Sequence, residues 1–164
     1  MEKNDFLIDS NVLIHASKEP DGSIAKWLRD HKPYVTDLSY YECLKGWKEI
    51  NNPIYHKEKQ FLEGFFADAK QENRYLVTES NEAIRQRAIV LNKDHNIKLE
   101  DAVIASTAEM YNYTLVTADN KKDFAPRLEK LNEQGKGNFK VQSYEYTTRE
   151  ETFQAWNQSS ENAP

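Results

Sequence analysis

Cysteine occurs once in the 164 residues, at Cys43, so no disulfide can close within the chain and no cysteine cluster can hold a metal inside one chain. Histidine is almost as sparse. His15, His31, His56 and His95 lie far apart, and no His-x-x-x-His spacing suggests a zinc site. No apolar run approaches the length of a membrane span, and the opening MEKNDFLIDS has no signal-peptide core; a cytoplasmic location is expected. A basic surplus is also missing. The net charge of −5 argues against a protein that holds nucleic acid by a broad cationic face. It leaves open an enzyme that meets phosphate through bound cations and a few local lysines. Internal repeats and a linker between two domains are absent too.

What is present suits one domain long enough to bury a real core, with 38% hydrophobic and 30% charged residues. Phe6 to Ile14 is an apolar run interrupted at Asp9-Ser10-Asn11, as if a strand ends there and a helix or turn begins. Pro20-Asp21-Gly22-Ser23 marks a turn, with Ser23 as N-cap of a helix over 24–30. Pro33 to Thr36 reads as a second strand, followed by a helix from Ser39 to Ile50 that Asn51-Asn52-Pro53 breaks. Phe61, Leu62, Phe65, Phe66 and Ala69 share one helical face over 56–72. This face could serve a homodimer or a partner helix, with packing inside the chain the simpler use. Tyr75 to Thr78 is a third strand, and Ser80 caps a helix over 81–95. Glu100-Asp101 opens an apolar helix through Tyr111; a strand at 113–117, a short polar helix over 125–137 and a last strand at 139–144 follow. The order predicts an α/β fold, a three-layer α/β/α sandwich with a short, mainly parallel sheet. The domain is expected to occupy 1–146, with 147–164 a polar, partly ordered tail.

Four acids stand at the ends of apolar elements: Asp9, Glu42, Asp101 and Asp119. Each has an ordinary alternative. Asp9 could form a turn at a strand end, although a charge inside an apolar run is costly unless it is paired or metal-bound. Ser39-Tyr40-Tyr41-Glu42 matches a capping box. Asp101 could stabilise a helix dipole, worth ~0.3–1 kcal/mol. Asp119 could cap a helix toward Phe124, with Asp123 completing the pair. In a parallel sheet, however, the strand ends fall along one edge. Carboxylates gathered there would raise one another's pKa values, and a hard cation, Mg²⁺ or Mn²⁺, would relieve the repulsion.

Three blocks carry a resemblance: LIDSNVLI, VTDLSYYECLKG and LEDAVIASTAEMYNYTLVTADNKKDF. In their order and separation the chain resembles the PIN-domain nucleases, most of all the VapC-type toxins of toxin–antitoxin pairs. The likeness covers about residues 5–144. It implies a divalent-metal-dependent endoribonuclease with Asp9, Glu42, Asp101 and Asp119 as catalytic and metal-binding acids. Ser10, Asn11 and Ser39 would give polar support, and Asp123 would be an auxiliary acid. The products implied are a 5′-phosphate and a 3′-hydroxyl. Lys45, Lys48, Lys121 and Lys122 lie near the acids in sequence and could touch RNA, or be ordinary solvated lysines. An antitoxin protein and a homodimer are the implied partners. The segment from Pro126 to Gly137 is longer and more charged than the turn many such toxins have.

Two other readings remain. A phosphatase using an aspartate nucleophile is disfavoured, because IDSNVL lacks the second Asp two residues on. A non-catalytic PIN-like module binding RNA or protein would use the same scaffold without cleavage. Cys43 has no histidine near it in sequence and reads as a small buried side chain, not a catalytic thiol.

Overall fold

The computed structural model describes residues 5–44, 53–118 and 123–144. Among the described residues, five short strands are threaded with seven α-helices. They run β1 (Phe6–Ile8), α1 (Ser10–Lys18), α2 (Ser23–His31), β2 (Val35–Thr36), α3 (Asp37–Leu44), α4 (His56–Gln71) and β3 (Tyr75–Leu76). Then follow α5 (Glu82–His95), α6 (Leu99–Tyr111), β4 (Thr114–Thr117), α7 (Phe124–Glu133) and β5 (Lys140–Ser143). Among the described residues, no helix is long and apolar enough to cross a membrane.

Every strand pairing among the described residues is parallel. β1 pairs β4, β4 pairs β5, and β2 pairs β3. The two groups meet at β1: Leu7 bridges Tyr34, Ile8 N–H donates to the Tyr34 carbonyl at 3.1 Å, and Tyr34 N–H donates to Phe6 at 2.7 Å. The spatial order is therefore β3-β2-β1-β4-β5. From β1 the chain first builds to one side through β2 and β3, then crosses to the other through β4 and β5. The carboxyl ends of β1 and β4 form the crevice where that direction reverses.

The period of two along a strand divides the core. Leu7 and Leu115 turn to one face, where they join Ala88, Leu91, Ile104, Ala105 and Leu128 from α5, α6 and α7. Ile8 and Val116 turn to the other, against Val12, Leu13, Trp27, Leu28, Leu62 and Phe66 from α1, α2 and α4. Two helical layers thus enclose the sheet, as the sequence order predicts.

Helix boundaries depart from expectation where capping chemistry decides them. Asn81, rather than Ser80, caps α5, its side-chain oxygen accepting from Ile84 N–H at 3.1 Å. Ser23 is the first residue of α2, and Gly22 precedes it without a side-chain cap. α3 begins earlier than predicted because Thr36 takes the capping role: its hydroxyl accepts from Ser39 N–H at 3.2 Å. The capping box weighed as the alternative for Glu42 is therefore not formed, and Glu42 lies in the body of the helix. The expected extension of this helix to Ile50 lies outside the described residues. On α4, Leu62 and Phe66 are buried and Phe61 and Phe65 pack against the same core, so that face is used within the chain.

Candidate active site

Asp9 is the residue on which β1 ends and α1 begins. Its backbone N–H still belongs to the sheet, donating to Val116 at 3.0 Å, while its side chain caps α1 by accepting from Ser10 N–H at 2.8 Å. The other carboxylate oxygen accepts from Thr117 Oγ1, 108 positions away at the end of β4, at 2.9 Å. Asn11 fastens the same junction from the next turn of chain. Its Nδ2 donates to the Ala118 carbonyl at 2.8 Å and its Oδ1 accepts from Ala118 N–H at 3.2 Å. The side-chain amide thus imitates a strand neighbour and fixes the path of the chain leaving β4.

Glu42 reaches this corner from α3. Ser10 Oγ donates to Glu42 Oε2 at 3.0 Å and lies 3.4 Å from Asp9 Oδ1, so one hydroxyl sits between two carboxylates. Asp101 enters from the first turn of α6, and Asp123 from the residue before α7. With Ser10, Asn11, Thr117, Lys98 and Glu100 they line a cavity of about 290 Å³. Asp9, Glu42, Asp101 and Asp123 are thus brought together by four different elements. Ser39 is not among them; it is buried and bonded to Thr36. Asp119, Lys45, Lys48, Lys121 and Lys122 lie outside the described residues.

The electrostatics are those of acids gathered at a partly buried corner. Burial pushes the Asp9 carboxyl up to about 6 and the charge of Glu42 adds to the shift; the bonds from Thr117 and Ser10 oppose it only in part. The same field extends outward. Burial, then the charges of Glu42 and Asp9, push the Cys43 thiol up to about 12, so this sulfur is no nucleophile. Burial and the Asp9 charge also raise the Tyr144 hydroxyl, which pairs with His15 Nδ1 at 3.1 Å.

The donors facing the cavity are hard oxygens, the set that suits Mg²⁺ or Mn²⁺ and not zinc or copper. Among the described residues, no three of the His, Cys, Asp and Glu side chains are near enough to hold one ion unaided. Water or substrate oxygens therefore complete any coordination sphere built on them, as is usual for Mg²⁺.

The profile of the PIN domain family matches residues 6–127. The chain belongs to the PIN-domain family. No curated protein sequence matches it. Among solved structures, VapBC2 of Rickettsia felis, bound to a DNA fragment from its promoter, aligns with a TM-score of 0.60 at 16% identity. That alignment covers 85% of this chain and 98% of the other. A toxin–antitoxin complex from Klebsiella pneumoniae aligns with a TM-score of 0.54 at 23% identity, over 74% of this PIN domain chain and 91% of its own. A protein from Pyrobaculum aerophilum gives 0.55 at 20%, over 76% and 86%. At these identities the likeness is one of fold.

Several residues of this PIN-domain pocket escaped the sequence reading. Thr117 reads in the sequence only as the end of a strand, and Lys98 carries no motif. Glu100 reads only as a helix-opening charge. A usable signal for Thr117 was its position: a hydroxyl on the last residue of a buried strand, at the edge where sites form.

Proposed function

We propose that the protein is a divalent-metal-dependent endoribonuclease acting in the cytoplasm, the toxin of a toxin–antitoxin pair. The observation that carries the reading is the raised carboxyl of Asp9 beside Glu42, in a cavity that Asp101 and Asp123 also enter at the sheet's switch point. Membership of a family whose members are generally nucleases supports it, as do neighbours in fold that are toxin–antitoxin complexes.

Mg²⁺ or Mn²⁺ held by Asp9 and Asp101, with Glu42 and Asp119 completing the acid set directly or through water, would supply Lewis acidity and a more acidic water. The protein's own part is positioning. Thr117 and the α1 amide hold Asp9 in one rotamer, so the carboxylate is oriented before any ligand arrives. Ser10 spaces Asp9 from Glu42. Lys45, Lys121 and Lys122 are proposed RNA contacts, an antitoxin is the proposed inhibitor, and a second copy of the chain the proposed partner in a homodimer.

Glu42→Gln tests the assignment. A glutamine keeps an oxygen for Ser10 and leaves the Thr36 cap untouched, so the fold should survive with its melting temperature nearly unchanged. Cleavage of single-stranded RNA in Mn²⁺ should fall by about two orders of magnitude or more, the scale expected for loss of a metal-site group. Full residual activity would remove Glu42 from the site. If the wild-type chain binds RNA in Mn²⁺ without cutting it, the module is a binding one and the nuclease reading fails.

A further inference from the structure

Lys98 stands where local rules disfavour it. It is the N-cap residue of α6, a position that prefers Ser, Thr, Asp or Asn, and it makes no side-chain cap. A cation there also opposes the positive end of the helix dipole. The side chain is exposed, and it lines the acidic cavity beside Glu100 and Asp101. Among the described residues no carboxylate lies within ion-pair distance of it, although acids line the same cavity. Ion pairs among the described residues form at Lys32, Lys59, Arg74, Arg85 and Arg87. A residue that breaks the local pattern and gains nothing from its neighbours marks a functional constraint.

We infer that Lys98 is a substrate-positioning residue that contacts a non-scissile backbone phosphate of single-stranded RNA at the mouth of the acidic cavity. The assignment rests on the nuclease reading and adds a contact to it. The acids repel a polyanion wherever they are not neutralised, and an ammonium at the rim offsets that for the phosphate next to the bond being cut. The contact is to the backbone, so it carries no base preference. It acts on binding and not on the chemical step.

The test compares the whole chain with Lys98→Gln, Lys98→Arg and Lys26→Gln. The last changes net charge equally on the outer side of α2, away from the cavity. In steady-state cleavage with Mn²⁺, Lys98→Gln should raise KM about fivefold with kcat little changed, uniformly across RNA sequences. Lys98→Arg should restore most of the loss, and Lys26→Gln should match wild type. A second readout needs no turnover. In an Asp101→Asn background, anisotropy of a labelled oligoribonucleotide titrated at several salt concentrations should lose ~0.7 from its logarithmic salt slope when Lys98 becomes Gln. An unchanged slope overturns the Lys98 assignment whether or not RNA is cut. An equal effect of Lys26→Gln overturns it as well, because the response then belongs to net charge. Failure of the wild-type chain to cleave RNA strikes the nuclease reading separately.

Discussion

Two aspartates in this molecule occupy the same topological position and have opposite circumstances. Asp9 follows β1 and Asp37 follows β2; both are buried, at 8% and 6% exposure. Asp37 is surrounded by donors. It accepts from the amides of Leu38, Thr78 and Glu79 at 2.9, 3.0 and 3.2 Å, and from the Thr78 hydroxyl at 2.6 Å. Its negative charge ties the end of β2 to the segment leaving β3. Asp9 has one amide, the Thr117 hydroxyl and a long contact from Ser10, and a second carboxylate stands beside it. A buried acid met by amides is mortar. One left beside another acid keeps unneutralised charge, and that charge is what a cation or a proton can use. Another, larger cavity among the described residues makes the same point. At about 450 Å³, it is floored by Asp37 and lined by Leu38, Tyr41, Ile89, Leu99 and Val103, so volume alone does not mark the reactive place.

The contrast can be broken by substitution. Asp37→Ala should cost the most, about 4 kcal/mol, because buried amides lose their acceptor at ~1–3 kcal/mol each. Chemical denaturation measures it, and the fraction still folded should retain cleavage. Asp9 should behave in the reverse sense. Its carboxyl is raised from 3.8 to about 6 in the folded chain, so its protonated form supports the fold. That support is complete below pH 4 and is lost as pH rises through 6, a swing of about 3 kcal/mol. In chelator the wild type should therefore show this loss between pH 4 and 7, and Asp9→Asn should abolish it and melt higher at pH 7. A wild-type stability that rises over that window would contradict the assignment. Addition of Mn²⁺ at ~100 times its dissociation constant should add ~2.7 kcal/mol to the wild type, much less to Asp9→Asn or Asp101→Asn, and the full amount to a folded Asp37→Asn. Equal shifts in all four chains would mean that the ion binds elsewhere. Smallest of all, Thr36→Ala should remove the α3 cap for about 1 kcal/mol while leaving kcat unchanged, since Thr36 holds the helix that delivers Glu42 without touching the acids.

Much of this was legible in the amino-acid order. The apolar pairs Leu7-Ile8 and Leu115-Val116 announce strands buried on both faces, and Asp9 interrupts the first of them where a strand should end. The alternation of strands and helices is enough to expect the three layers. Caps were harder, because Ser80 and Asn81 are adjacent and both suited, and only the path of the chain selects Asn81. For Glu42, a local pattern misled: the serine three residues before it suggests a box, while Thr36, three residues earlier still, has the better geometry. Asp37 carries no such signal, because its partners beyond the adjacent Leu38 amide lie 41 and 42 positions away and nothing in its neighbourhood announces them. Long-range partnership of this kind has no short-range signature.

The bond between Asp9 and Thr117 sets an order of events during synthesis. Its two halves are made 108 residues apart, so it cannot form until β4 has been synthesised, and a loop of that length must close to make it. A nascent chain that has not yet delivered β4 from the ribosome carries its first acid without the wall that orients it. The orientation of Asp9 therefore arrives late in synthesis, and chains stopping short of Thr117 are expected to lack it.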